Sequence, residues 1–213
     1  MIEKQVFFDA GGLKIEALVA EGKTDAGVVV THPHPLYGGD MHNNVVEALV
    51  QAYQEKGFTT LRFNFRGVGR SEGAFDEGKG EQEDVRAAVE YLRGLGKTRV
   101  DLSGYSFGAW VNARSIENLS PVRRMIMVSP PVNFLDFSFL KTTVRLRLVV
   151  TGSNDDIAPP DMIREMIASW NPDAEFRIVA GADHFYWDRT GEIEAMVKDL
   201  LERENGEHPS SLE

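Results

Sequence analysis

The ten residues DLSGYSFGAW, Asp101–Trp110, decide which fold the rest of the chain is expected to adopt. Their centre, GYSFG at 104–108, matches the pattern G-x-S-x-G between an apolar run and residues with helical spacing. A strand that turns sharply into a helix crowds its own backbone, and glycines on either side of the serine relieve that crowding. The stretch therefore predicts a strand, a tight turn that exposes Ser106, and a helix whose first amide, that of Phe107, could bind a developing negative charge.

Short apolar runs alternate with stretches of helical spacing on both sides of this turn. The runs predict buried parallel strands at 28–30, 59–65, 100–102, 125–128, 146–150 and 176–179. Helices are predicted at 42–56, 81–93, 107–117, 161–170 and 192–202. At the amino terminus, 4–10 and 13–21 alternate in polarity around two glycines, which predicts an antiparallel hairpin. We predict an α/β fold: a doubly wound, mostly parallel central sheet flanked by helices, with this hairpin at one edge.

The composition is that of one globular domain that does not bind polyanions. Of 213 residues, 42% are hydrophobic and 26% charged, and we expect a single domain over 1–204 with a disordered tail at 205–213. The formal net charge of -10 disfavours nucleic acid and anionic membranes as partners. Because cysteine is absent, disulfides, a thiolate nucleophile and a cysteine-based zinc site are excluded. No signal peptide or membrane span is predicted, so we expect a cytoplasmic protein.

A nucleophilic serine needs a base and a group that orients the base. His184, in GADHFY, lies in a predicted loop before the last helix. Asp155 follows a predicted strand in VVTGSNDDIAPP, where Asp156 or Asp161 is better placed to cap the next helix. The order Ser106, Asp155, His184 is that of a hydrolase triad in which each member follows a strand at the same sheet edge. We therefore predict these three as catalytic residues.

The loop THPHPLYGG after the first central run is the candidate source of a second oxyanion donor. Pro33 and Pro35 have no N–H, which leaves the amide of His34 as the best candidate and that of Leu36 as the reserve. The oxyanion hole is thus predicted from the backbone N–H groups of Phe107 and His34.

The same loop contains an H-x-H pair that could suggest a metal site. Further ligands are missing from its neighbourhood, so we predict no metal, and expect His32 and His42 to shape the loop or to pack. The glycine cluster FRGVGRSEG, 65–73, does not have the spacing of a dinucleotide fingerprint. No cofactor is predicted.

Taken together, the motifs resemble those of the α/β-hydrolase superfamily, and are most similar to its small, lidless, dienelactone-hydrolase-like branch. The resemblance covers Thr24 to about Arg203 and rests on THPHPLYGGDMHNNVV, FNFRGVGRSEG, GYSFGA, GSNDDIAPP and GADHFY. It implies a serine hydrolase that forms an acyl-enzyme and needs no cofactor. The family's glycine three residues before the acid corresponds to Gly152 and so supports Asp155 over Asp156.

The sequence predicts the type of reaction more closely than it predicts the substrate. The connection 129–143 is too short for a large lid and rich in Phe and Pro. Its aromatic residues, with one from the earlier loop, could line an acyl pocket or pack in the core: Phe134, Phe137, Phe139 and Tyr37. We expect small acyl esters, with thioester, amide or lactone hydrolysis, acyl transfer, or a catalytically idle binding module as alternatives. A small-molecule substrate and a monomer or homodimer are expected.

Overall fold

The computed structural model describes residues 1–120 and 122–206. Within these ranges the strands are β1 Lys4–Ala10, β2 Leu13–Ala20, β3 Ala26–Thr31, β4 Thr59–Phe63, β5 Arg99–Tyr105, β6 Val122–Val128, β7 Leu146–Gly152 and β8 Glu175–Val179. The α-helices are α1 Asn44–Glu55, α2 Lys79–Gly94, α3 Phe107–Ser115, α4 Pro160–Trp170 and α5 Thr190–Gly206. Short 3-10 turns span Pro35–Tyr37 and Ile116–Asn118.

All of these strands form one eight-stranded sheet in the order β1-β2-β4-β3-β5-β6-β7-β8. Both β1 with β2 and β2 with β4 pair antiparallel, whereas every pair from β4 to β8 is parallel. The predicted α/β sheet with an antiparallel hairpin at one edge is therefore confirmed. Parallel strands bring their carboxyl ends to a common edge, where the loops after β3, β5, β6, β7 and β8 meet.

Two apolar layers explain why the central runs are mostly apolar. Val28 and Val30 of β3 pack with α1 and α5 on one face, while Val29 packs with α2, α3 and α4 on the other. Each central strand is thus covered on both sides, which favours a continuous apolar run over an alternating one. No helix among the described residues is long and apolar enough to cross a membrane.

Capping accounts for one of the small differences between predicted and observed boundaries. The helix predicted from residue 42 begins at Asn44, because the side chain of Asn43 accepts a hydrogen bond from the amide of Val45 at 3.0 Å. The strand predicted to residue 65 ends at Phe63. α5 continues to Gly206, so 205 and 206 are helical, and the rest of the expected tail, 207–213, lies outside the described residues.

Candidate active site

Ser106 lies on a strained turn between β5 and α3. Its φ of 53° and ψ of -119° are values that residues with a Cβ rarely adopt. The amide of Ser106 donates to the carbonyl of Val128 at 2.9 Å, and its carbonyl accepts from the amide of Trp110 at 3.2 Å. A Cβ on Gly104 would lie only 2.7 Å from the amide nitrogen of Ala109, so the turn requires a glycine there. The serine therefore projects at the carboxyl end of β5.

The structure brings Ser106, His184 and Asp155 together in one hydrogen-bonded line. His184 Nε2 lies 3.0 Å from Ser106 Oγ, and His184 Nδ1 lies 2.9 Å from Asp155 Oδ2. The exposed fractions are 7% for Ser106, 7% for His184 and 2% for Asp155, so these hydrogen bonds are shielded from water. An ionised carboxylate can only accept, which fixes the proton on Nδ1 and leaves Nε2 free to accept the serine proton.

Asp155 is held as an anion by several donors. Its Oδ1 accepts from the amides of Ile157 and Ala158 at 2.9 and 2.7 Å, and its Oδ2 accepts from Ser129 Oγ at 2.7 Å. Burial raises the pKa of Asp155, but the hydrogen bond and charge of His184, with the donors Ser129 and Ala158, outweigh burial and hold the pKa below its ordinary value. The carboxylate therefore stays charged and oriented towards His184.

His184 is also fixed through its backbone. Tyr105, the residue before the serine, donates from its hydroxyl to the carbonyl of His184 at 2.6 Å. Burial raises the pKa of Tyr105 well above its ordinary value, so the phenol keeps this proton. The loop that carries the base is thereby tied to the turn that carries the serine. Sequence reasoning missed this role, although Tyr105 lies inside the G-x-S-x-G pattern.

The two residues predicted to supply the oxyanion donors lie close to each other. Phe107 begins α3, and the rings of His34 and Phe107 are in contact, with centroids 4.8 Å apart. Within residues 1–120 and 122–206, neither of their amides donates to a protein acceptor, so both are available. The amide of Leu36, the reserve donor, is not available because it donates to His34 Nδ1 at 3.2 Å. Burial lowers the pKa of His34, which keeps its ring a neutral acceptor.

His32 is held in place by hydrogen bonds at both ring nitrogens. It is fully buried, its Nε2 accepts from the amide of Phe65 at 3.0 Å, and its Nδ1 lies 2.6 Å from the carbonyl oxygen of Pro33. Burial lowers the pKa of His32 to about 4, so it is neutral at physiological pH. His42 is exposed in the turn before α1. Among the described residues, no cluster of three or more His, Asp or Glu side chains is arranged to hold a metal ion.

The aromatic residues proposed for a substrate pocket separate into two groups. Phe137 is 1% exposed and packs against Trp170, with ring centroids 5.3 Å apart, so its assignment to the pocket wall is wrong and it belongs to the core. Phe139 is half-buried and packs over Trp110 and the guanidinium of Arg114.

The other two aromatic candidates are exposed. Tyr37 is 88% exposed and contacts the His34 ring, and Phe134 is 71% exposed in the loop after β6. Sequence reasoning missed Phe185 and Trp187, exposed residues that follow His184 directly. With exposed Leu36, these residues lie on the loops after β3, β6 and β8, at the carboxyl edge of the sheet, and we call this set the apolar rim: Leu36, Tyr37, Phe134, Phe185 and Trp187.

Known proteins share this fold and about a third of the sequence. A model of the alpha/beta hydrolase family matches residues 28–146. The uncharacterized protein RP471 of Rickettsia prowazekii is 33% identical over 209 residues, covering 92% of this chain and 88% of that protein. An alpha-beta serine hydrolase homologue from Coxiella burnetii has a TM-score of 0.88 at 32% identity, covering 94% and 98% of the two chains. XC6422 from Xanthomonas campestris, an a/b serine hydrolase without lid, has a TM-score of 0.88 at 29% identity, covering 97% of each chain.

Proposed function

The chain belongs to the alpha/beta hydrolase family, and on that premise we propose that it is a serine hydrolase that cleaves small acyl esters. Ser106 is the nucleophile, His184 the base, and Asp155 the group that orients the base. One observation carries the proposal: the buried line from Ser106 Oγ to His184 Nε2 at 3.0 Å and from His184 Nδ1 to Asp155 at 2.9 Å. A serine that only connects a strand to a helix has no need of a shielded base.

Acylation begins when Ser106 Oγ attacks the ester carbonyl carbon while His184 Nε2 takes the serine proton. The resulting oxyanion accepts hydrogen bonds from the amides of Phe107 and His34, each worth about 3 kcal/mol of barrier by comparison with known donor deletions. As the intermediate collapses, His184 returns the proton to the leaving alcohol. The products of this half-reaction are an acyl-Ser106 ester and the free alcohol.

Deacylation repeats these steps with water as the nucleophile. His184 removes a proton from water, the hydroxyl adds to the acyl carbonyl, and the same two amides hold the second oxyanion. Collapse releases the carboxylic acid and returns the proton to Ser106 Oγ. Asp155 stays ionised throughout and stabilises the imidazolium that forms twice in each cycle.

The apolar rim favours substrates with a small apolar group. Its five side chains lie on loops at the carboxyl edge of the sheet, which is the edge where Ser106 projects. The connection between β6 and β7, residues 129–145, contains no helix or strand that would form a lid. We assign the rim to contacts with the acyl or alcohol part of the ester, where burial of apolar area stabilises the bound state.

Covalent labelling by a fluorophosphonate probe, read by intact mass, tests the nucleophile directly. We expect one adduct on the wild-type protein, none on Ser106→Ala, and much slower labelling of His184→Ala. Ser103→Ala is a matched control, because Ser103 is a buried serine of β5, the strand that leads into Ser106, and its hydroxyl has no partner among the described residues. It should label at the wild-type rate.

A series of p-nitrophenyl esters of increasing acyl length then tests the substrate class. Turnover that is highest for short acyl groups, and lost with Ser106→Ala, supports the ester proposal. A folded wild-type protein that neither labels nor turns over any ester would contradict it and would favour a binding role for this fold. Turnover confined to thioesters or amides would keep the nucleophile and change the substrate class.

A further inference from the structure

The hydrogen-bonded line does not end at Asp155. Ser129 Oγ lies 2.7 Å from Asp155 Oδ2 and 2.6 Å from Tyr186 Oη, and both residues are 0% exposed. We propose that Ser129 and Tyr186 are positioning residues that orient the Asp155 carboxylate and set how strongly it holds His184. This inference rests on the proposed function, because it assigns these residues to the same reaction.

The number of protons on each group decides which partner donates in each of these hydrogen bonds. The ionised carboxylate of Asp155 can only accept, so Ser129 must donate its single hydroxyl proton to it. Ser129 then has only lone pairs to offer to Tyr186. Burial raises the pKa of Tyr186 well above its ordinary value, so the phenol is protonated and donates to Ser129. Tyr186 thus donates to Ser129 and Ser129 donates to Asp155. On the other side Ser106 donates to His184 and His184 donates to Asp155, so both series of hydrogen bonds end on the carboxylate.

Another nearby hydroxyl cannot replace Ser129. Thr151 Oγ1 lies 3.4 Å from Asp155 Oδ2 but only 2.6 Å from the carbonyl oxygen of Ala158. A hydroxyl has one proton, and that of Thr151 goes to the closer acceptor. Oδ1 of Asp155 takes the two backbone amides, so Ser129 is the hydroxyl that serves Oδ2.

Backbone strain supports a role beyond packing. Ser129 has a φ of 44° and Tyr186 a φ of 55°, both in the left-handed region that favours glycine. A glycine at either position would relieve the strain but remove the hydroxyl. The amide of Ser129 donates to the carbonyl of Val150 on β7 at 2.7 Å, which aims its side chain across to the strand that leads into Asp155. Strain that persists at a proposed active site is consistent with a positioning role.

Loss of the Ser129 hydroxyl should alter both geometry and charge. Oδ2 would lose its hydroxyl donor in a site that is closed to water, so the carboxylate would be free to tilt and would attract a proton more strongly. The titratable groups coupled to Asp155 are His184, Tyr186 and Tyr105, and the charge of Asp183 acts on Tyr105. Since Ser129 is one of the donors that hold the pKa of Asp155 down, its loss should raise that pKa, and the acid limb of the labelling rate should move to higher pH with it.

The test uses the rate of fluorophosphonate labelling of Ser106 across pH in Ser129→Ala, Tyr186→Phe and the double variant. We expect Ser129→Ala to label about 10-fold to 100-fold more slowly, as for a lost hydrogen bond to a charged group. Tyr186→Phe should slow labelling about 3-fold to 10-fold, as for a neutral hydrogen bond. The double variant should be no slower than Ser129→Ala, because Tyr186 acts through Ser129.

The pH profile separates positioning from folding. In Ser129→Ala the midpoint of the acid limb should move to higher pH, whereas a purely structural defect would lower the rate and leave the midpoint in place. Ser129→Gly, which loses the hydroxyl but relieves the positive φ, should label as slowly as Ser129→Ala while being at least as stable. If Ser129→Ala does not fold, Ser129→Gly and Tyr186→Phe give the same test.

Two matched variants control for the loss of a buried hydroxyl. Ser115→Ala removes a hydroxyl that donates to Val111 in α3, and Tyr53→Phe removes a fully buried phenol oxygen on α1. Both should label at the wild-type rate. Folded Ser129→Gly and Tyr186→Phe proteins that label at the wild-type rate with an unmoved midpoint would overturn the inference while leaving the nucleophile intact. Absence of labelling in the wild type would instead overturn the proposed function.

Discussion

Replacing Gly108 by alanine tests whether close backbone contact holds the turn at Ser106. A Cβ at residue 108 would lie 2.6 Å from Thr31 Oγ1, 2.7 Å from the carbonyl oxygen of His32 and 2.7 Å from the carbonyl carbon of Thr31. Two of these atoms are backbone at the end of β3, so no side-chain rotation makes room. Overpacking costs about 3 kcal/mol at the upper end of its usual range, and alanine in a helix returns at most about 1 kcal/mol. We expect the free energy of unfolding to fall by about 2 kcal/mol.

Urea unfolding followed by tryptophan fluorescence measures this loss. Gly94→Ala is the control, because Gly94 ends α2 and a Cβ there would meet no atom within 4 Å. That variant should match the wild type or gain up to about 1 kcal/mol. The labelling rate of Ser106 should also fall in Gly108→Ala, since the turn must shift away from β3. A Gly108→Ala protein as stable and as reactive as Gly94→Ala would refute the argument that close packing dictates this glycine.

Three further perturbations have defined outcomes. Asp155→Asn should keep the fold, measured by circular dichroism, and lower kcat/KM for ester cleavage about 10⁴-fold, because the amide no longer stabilises the imidazolium; a loss below about 10-fold would contradict its role. Tyr105→Phe removes the donor to the His184 carbonyl and should lower kcat about 3-fold to 10-fold with KM unchanged; an unchanged kcat would argue against that tether. Because the pKa of buried His32 is about 4, the unfolded chain binds its proton first as pH falls below about 6.5. The free energy of unfolding should therefore fall by about 2 kcal/mol between about pH 7.5 and about pH 5. His32→Gln should lack this part of the pH dependence in urea titrations, and an equal dependence in both proteins would contradict the burial argument.

The predictable part of the fold is the part that depends on neighbouring residues. Continuous apolar runs identify strands covered on both faces, and the glycines around Ser106 identify the tight turn, because both requirements act within a few residues. The order of the strands in the sheet does not follow from neighbouring residues in this way. β4 lies between β2 and β3, and nothing local in Thr59–Phe63 states which strands it will pair with, since pairing depends on packing across the whole sheet.

The candidate site likewise has features that neighbouring residues predict and features that depend on the packing of the whole sheet. Ser129 directly follows the buried strand β6. Other site residues are predicted because they follow a buried strand, so the sequence contains the same signal for Ser129. Its contact with Asp155 depends on the parallel register that sets Val128 beside Val150, which a single sequence does not specify. Phe137 is the opposite case: an aromatic residue in a loop is equally compatible with a pocket and with a core, and only the packing against Trp170 decides.

The distribution of backbone strain links the proposed nucleophile, Ser106, to the proposed positioning residues, Ser129 and Tyr186. Among the described residues, the non-glycine positions with positive φ are Glu77, Ser106, Ser129, Tyr186 and Asp188. Three of them are members of the hydrogen-bonded line from Tyr186 to Ser106. Each such residue costs on the order of 1 kcal/mol or more, a cost that the surrounding sheet must offset. Strain arising from imperfect packing would be scattered over turns, whereas three of these five residues carry hydroxyl groups that belong to one hydrogen-bonded line. Relief of that strain by glycine at Ser129 should therefore stabilise the fold and slow the chemistry together, an exchange expected only where stability has been given up for geometry.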